Sequence, residues 1–224
     1  MTQKTGIFES YWNYLIHQPT PNAANDEHAL QPLILFLHAS GERGSDLELV
    51  RAYGLPRLIE SQPDFPFIVV SPQCPMDTRW TDHVDVLDRF LTYILDLYPV
   101  DRERIYLSGM SMGGQGAWHF ATLHPHRFAA VVPICGRIPP FEGYPDRVSV
   151  LRHVPLWVFH GAADDRVPVI NSEQLVSALR LCGGNPKFTI YPYVGHNAWD
   201  WAYAEPELFL WLMTQHKSTT PEES

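Results

Sequence analysis

The sequence predicts an α/β protein, with one mostly parallel central sheet and helices on both of its faces. Three observations carry that expectation. Short continuous apolar runs, such as residues 33–37, have the composition of strands buried on both sides. Between them lie stretches whose apolar residues recur at helical spacing. The two kinds alternate along the chain, and strand, helix, strand in sequence implies crossover units in a parallel sheet. The 224 residues suit one domain, long enough to bury a sizeable core. Residues 1–216 are expected to form that domain, and the polar residues 217–224 a frayed tail.

Taken in order, residues 11–16 read as a first strand and residues 18–31, rich in Pro, Asn and Asp, as a loop. Residues 33–37 form a buried strand, followed by a Gly-containing loop and a helix from Asp46. Residues 67–70 are another buried strand. Thr81 and Asp82 are expected to cap a helix whose apolar face is Leu87, Phe90, Leu91, Ile94 and Leu95. A strand at 105–107, within a strand-like stretch 104–108, leads into a helix at 112–123. Residues 129–134 and 156–159 are strands. Residues 170–181 are a helix ended by Gly183 and Gly184. A strand at 188–191 and a helix at 208–215 close the chain.

Composition excludes several function classes. The formal net charge is −9, from 16 Lys plus Arg against 25 Asp plus Glu, and no basic run stands out. An acidic chain repels phosphate backbones, so no nucleic-acid partner is expected. No run of about 18 apolar residues is present, so no membrane span is expected. Residues 1–10 lack an apolar stretch of signal-peptide length, and a cytoplasmic protein is the default. Cys74, Cys135 and Cys182 are far apart with no C-x-x-C pair, which reads as free thiols in a reducing compartment. His124 and His126 flank Pro125, but further ligands are lacking, so neither a metal nor another cofactor is expected.

Chemistry concentrates at Gly109-Met110-Ser111-Met112-Gly113, a G-x-S-x-G pattern. Alone it is weak. Here it joins a strand to a helix, the context of a nucleophile elbow, where strained backbone lifts the serine above the sheet and glycines avoid collisions. A serine hydroxyl needs a base to take its proton. His196, in a loop just after the last strand, is the expected base, whereas His216 is expected to cap the closing helix. An acid should follow the preceding strand, where Asp164 and Asp165 stand side by side after His160-Gly161. One of them should orient the imidazole; residue patterning alone leaves the choice open.

With these motifs in place, the sequence resembles the α/β-hydrolase superfamily, and within it the compact esterases of the phospholipase/carboxylesterase and predicted-peptidase groups. The resemblance runs from about Leu33 to Leu212. Its motifs are Leu37-His38-Ala39-Ser40-Gly41-Glu42-Arg43-Gly44, the elbow, His160-Gly161 with Asp164 and Val167-Pro168, and Gly195-His196-Asn197-Ala198-Trp199-Asp200. The resemblance implies the α/β-hydrolase fold and a Ser111, Asp164, His196 triad, selecting Asp164 over Asp165. It implies an oxyanion hole from the backbone N–H groups of Ser40 and Met112. It departs at Ala39, where the family usually carries glycine, whose freedom to twist bears on the placement of the Ser40 donor.

The implied activity is hydrolysis of small to medium carboxylic esters through an acyl-enzyme, on a small-molecule ester as partner. A peptidase or thioesterase using the same triad is the nearest alternative, and a catalytically silent binding scaffold is a third. Trp80 is expected as an aromatic wall for substrate. Trp199 is expected to line the pocket or to anchor its loop. Glu42 and Arg43 are expected to fix the oxyanion loop. Residues 137–148, with three prolines, would form at most a short cap.

Overall fold

The computed structural model describes residues 3–9, 12–19 and 30–217. Its centre is an eight-stranded sheet of β1 (Lys4–Phe8), β2 (Trp12–His17), β3 (Gln31–Leu37), β4 (Ile68–Pro72), β5 (Val100–Met110), β6 (Ala130–Ile134), β7 (Trp157–Gly161) and β8 (Lys187–Tyr191). The strand order is β1-β2-β4-β3-β5-β6-β7-β8. β1 pairs antiparallel with β2, and β2 antiparallel with β4; every other pairing is parallel. The helices are α1 (Leu47–Arg51), α2 (Gly54–Glu60), α3 (Val84–Leu97), α4 (Met112–Leu123), α5 (Ile170–Leu181), α6 (Ala198–Ala202) and α7 (Pro206–Met213).

The two-residue period of a strand distributes the core. Leu33, Leu35 and Leu37 of β3 join a cluster with the apolar faces of α3, α4 and α5. Ile34 and Phe36 join the opposite cluster with α2, α6 and α7. Both faces of β3 are therefore covered, which is why it reads as an unbroken apolar run. In α3, Leu87, Phe90, Leu91, Ile94 and Leu95 are all buried, as their spacing predicts. Burial of each contributes roughly 1.5–3 kcal/mol of transfer free energy.

Departures from the sequence reading have local causes. β1 was not expected: it is an edge strand with mostly exposed side chains, and Gly6 stands where the Tyr14 ring of β2 needs space. β5 starts earlier than expected because the charged stretch Asp101 to Arg104 hides it. Thr81 and Asp82 do not cap α3. They lie in a 3-10 turn at Trp80–Asp82, which the Asp82 carboxylate closes by accepting the Arg79 N–H at 2.9 Å, and α3 begins at Val84. His216 does not cap α7, which ends at Met213 with Thr214 as its C-terminal cap, and makes no hydrogen bond to that helix among the described residues. α6, five residues long, is too short to show a period. Of the expected loop at 18–31, residues 20–29 lie outside the described residues, and Gln31 already belongs to β3. Of the expected tail, 218–224 lie outside them, while the Lys217 N–H donates to the Glu103 carbonyl at 2.9 Å.

Parallel strands deliver their carboxyl ends to one edge. The chain leaves β3 towards β4 on one side and β5 towards β6 on the other, so the order reverses between β3 and β5. Such a reversal opens a crevice above the carboxyl ends of the two strands. Ser40 follows β3 and Ser111 follows β5.

Candidate active site

Ser111 is the hinge between β5 and α4. Its φ of 54° and ψ of −112° lie where a side chain is disfavoured, a strain of about 1–3 kcal/mol. The surroundings enforce it: the Ser111 N–H donates to the Ile134 carbonyl and its carbonyl accepts the Gln115 N–H, both at 2.9 Å. The flanking glycines permit close approach. A Cβ at Gly113 would collide with the Leu37 and His38 carbonyls, and one at Gly109 with the Gly113 carbonyl. Glycine thus seats the first turn of α4 directly on the end of β3.

The hydroxyl lies 2.8 Å from His196 Nε2. On the other side of the ring, Nδ1 lies 2.7 Å from Asp164 Oδ2. A carboxylate only accepts, so Nδ1 carries the proton and Nε2 is left to accept the Ser111 O–H. Asp164 is buried, and its Oδ1 accepts the N–H groups of Arg166 and Val167 at 2.9 Å each. Burial opposes its ionisation, but the bonds from His196, Val167 and Arg166 outweigh that cost and hold its carboxyl below the ordinary 3.8. Asp165, its neighbour, is exposed and takes no hydrogen bond among the described residues.

Two further devices align the loops. Gly161 lets the chain after β7 pass against the Val194 and Gly195 carbonyls, which a Cβ would strike. His160 is fully buried; its Nε2–H donates to the Val167 carbonyl at 2.8 Å, and its Nδ1 accepts from the Ser172 hydroxyl at 2.7 Å. Burial lowers its pKa, so its 3.3 Å approach to Asp164 is a contact of a neutral ring rather than an ion pair.

Ser40 opens a 3-10 turn (Ser40–Glu42), and Met112 is the first residue of α4. Neither N–H is taken up by a carbonyl of the described residues, as a first-turn amide leads one to expect. His38 braces the Ser40 loop from beneath. Its Nδ1–H donates to the Ala39 carbonyl at 2.6 Å, its Nε2 accepts the Cys74 N–H at 2.9 Å, and its own carbonyl accepts the Trp80 indole N–H at 2.8 Å. Burial drives its pKa from 6.5 to about 4. Ala39 has φ −77° and ψ −177°, ordinary extended backbone, so no glycine twist is required there. Arg43 ties the same loop through Nε to the Ser40 carbonyl and Nη1 to the Thr78 carbonyl. Glu42 is buried beneath it, 3.7 Å from His38 Nδ1. Arg43 ties the loop by side-chain hydrogen bonds, whereas the Glu42 carboxylate makes no ion pair with the neutral His38 ring, and its Oε2 has no hydrogen-bond partner among the described residues.

In front of Ser111 lies a cavity of about 330 Å³. Ser40, Met112, Gln115 and Val167 form part of its wall, and Arg43, Arg79 and Arg137 the rest. Trp80 is not in it. That side chain is completely buried, holding the His38 carbonyl and packing its Cβ over Gly116, so its expected role as a substrate wall is corrected to loop packing. Trp199 does not line this cavity either. Its ring meets the His196 ring edge-on, with centroids 5.5 Å apart, and its other side lines a neighbouring cavity with Leu58 and Tyr203. It anchors the His196 loop. Of residues 137–148, only Arg137 reaches the cavity. Further along, Phe141 stacks on His119 of α4 and Val148 enters the core, so the segment packs on the helix rather than capping the site.

Sequence reasoning missed Cys135 and the arginine wall. Cys135 has φ +41° at the end of β6, and its thiol donates to the His196 carbonyl at 3.4 Å. Cys135, Asp164 and His196 bring possible ligand atoms within 4.8 Å of one another. Burial pushes that thiol's pKa well upward, and His196 Nδ1 is already bonded to Asp164, so the donor set is poorly suited to a cation. Arg79 and Arg137 belong to loops after different strands, and no local pattern announces that they meet.

Comparison with known proteins agrees with this fold. A family model described as alpha/beta hydrolase fold matches residues 32–185. The chain is 29% identical over 119 residues to a bifunctional acetylxylan esterase/xylanase of Neocallimastix patriciarum, a match covering 51% of this chain and 16% of that protein. It superposes on a thermostable esterase with a TM-score of 0.78 and 29% identity, over 96% of this chain and 63% of that one. A ferulic acid esterase superposes with a TM-score of 0.70 and 22% identity, covering 94% of this chain and 96% of that one, a likeness of fold alone. The chain therefore spans only 16% and 63% of the first two relatives.

Proposed function

Because the chain belongs to the alpha/beta hydrolase fold family, we propose that it hydrolyses carboxylic esters of small to medium acyl groups, with Ser111 as nucleophile. One observation carries the reading: a continuous relay from Ser111 Oγ through His196 to Asp164, with links of 2.8 and 2.7 Å. Ser111 attacks the ester carbonyl carbon while His196 Nε2 takes its proton. The carbonyl oxygen becomes an oxyanion, which the Met112 and Ser40 N–H groups bind; losing one such donor costs roughly 10²–10³ in rate in comparable sites. The tetrahedral intermediate collapses as His196 returns the proton to the departing alcohol. Water then attacks the acyl-enzyme, His196 acting again as base, and the acid leaves. Asp164 keeps the proton on Nδ1 and stabilises the imidazolium that forms at each step.

The esterases among the relatives support ester bonds over amide or thioester bonds, and the cavity volume supports modest acyl groups. The silent-scaffold alternative drew its motive from Ala39, and the ordinary extended backbone there supports the catalytic reading instead. Three free thiols favour a reducing, cytoplasmic setting. Among the described residues no helix is long and apolar enough to cross a membrane. The test is S111A with p-nitrophenyl butyrate. Turnover should fall by at least about 10⁴ with the melting temperature retained. Hydrolysis persisting near the wild-type rate would remove Ser111 from the chemistry.

A further inference from the structure

The wall of the catalytic cavity carries three cationic side chains, Arg43, Arg79 and Arg137, and no carboxylate. That is unexpected in a chain with 25 acidic and 16 basic residues. None of the three forms an ion pair among the described residues, a state they share with Arg57, Arg147, Arg152, Arg166 and Arg180 but not with Arg51, Arg89, Arg102, Arg104 and Arg127; what sets the three apart is that they share one cavity wall. Arg43 spends two donors on the Ser40 and Thr78 carbonyls, and Arg137 one on the Arg166 carbonyl. The Arg79 side chain has no hydrogen-bond partner among the described residues. Asp82, whose carboxylate accepts the Arg79 backbone N–H at 2.9 Å, closes the 3-10 turn and does not line the cavity, and Asp164 lies against His196 with its side chain wholly inaccessible. Like charges gathered around one cavity repel one another, and a guanidinium presents a planar fork that matches a carboxylate, phosphate or sulfate.

From this placement we infer that the physiological substrate is an anionic ester, whose free acidic group is held by Arg79 and Arg137 while Arg43 supports the oxyanion loop. The inference rests on the ester-hydrolase reading above and names its substrate class. The two arginines come from loops after β4 and β6, on opposite sides of the strand that carries Ser111. An acidic group bridging them lies across the mouth of the crevice, with the scissile carbonyl lowered to Ser111. The cavity volume leaves room for a short spacer between the two.

The experiment compares kcat/KM for the p-nitrophenyl half-ester of glutaric acid, which keeps a free carboxylate, with that for neutral p-nitrophenyl valerate. A second pair places the charge on the leaving group: 4-acetoxybenzoate against 4-acetoxybenzamide. In at least one pair the charged ester should be favoured by about tenfold or more, chiefly through KM, and the ratio should shrink as salt is raised. In R79Q/R137Q that ratio should fall towards one, while R102Q, at the opposite end of β5, keeps it. The pair that responds identifies which side of the ester bears the charge. Ser111-dependent hydrolysis with no charge preference in either pair, or a preference indifferent to R79Q/R137Q, overturns the inference and leaves the ester-hydrolase reading standing. No hydrolysis of any of the four esters by folded wild-type protein overturns both.

Discussion

At the scale of single residues, the two adjacent aspartates separate by their surroundings rather than their chemistry. Asp164 is buried, accepts two backbone N–H groups and lies 2.7 Å from His196 Nδ1, while Asp165 faces solvent. Replacing Asp164 by asparagine sets an NH₂ or a neutral carbonyl against Nδ1. That favours the wrong tautomer and leaves the imidazolium without its counter-charge. By analogy with serine proteases, D164N should lower kcat by about 10⁴. D165N should change it by less than about threefold, both read from initial rates on one ester. Equal losses would mean that burial does not select the acid. Trp80 teaches the complementary lesson. A tryptophan near a site reads equally well as a wall or as packing, and only the bond from its indole to the His38 carbonyl decides between them.

At the scale of elements, the site depends on a strand end and a helix start in direct contact. G113A would drive a methyl group into the Leu37 and His38 carbonyls. It should destabilise the fold by more than about 2 kcal/mol, an effect measurable by urea unfolding; a neutral outcome would show that β3 and α4 can part at low cost. The oxyanion loop carries a pH signature of its own. His38 titrates at about 4 when folded, against 6.5 when exposed, so between those values the unfolded chain binds the extra proton. Stability therefore falls as pH drops from about 6.5 to about 4, by about 3 kcal/mol from His38 alone. Burial shifts His83, His119 and His160 the same way, and they add to the loss. Glu42, pushed upward by burial, opposes them above its ordinary 4.5. Asp164, held low, adds a further loss as pH falls below the ordinary carboxylate range. Unfolding free energies at pH 7 and pH 4.5 should show the decline. A flat or rising profile would mean that His38 is not held neutral.

At the scale of the whole molecule, the parts legible in the sequence are those in which one segment contains its own reason. The parallel strands announce themselves because both faces are buried, α3 because its stripe recurs at helical spacing, and the elbow because its glycines and serine adjoin. What stayed hidden is either too short, too exposed or assembled from distant segments. β1 is an edge strand, α6 is five residues long, and the arginine wall draws on loops after three strands. Charge shows the same difference of scale, since the −9 of the whole chain gives no hint of the cationic cavity at its centre. The claim uniting these scales is that the fold activates one serine hydroxyl. Treatment with a fluorophosphonate, followed by intact-mass and peptide mapping, tests it most directly, because such a probe reacts quickly only with an activated serine. One adduct per chain is expected, located on Ser111 and formed at least about 10²-fold more slowly in H196A. An adduct elsewhere, or labelling of Ser111 at an undiminished rate in H196A, would contradict it.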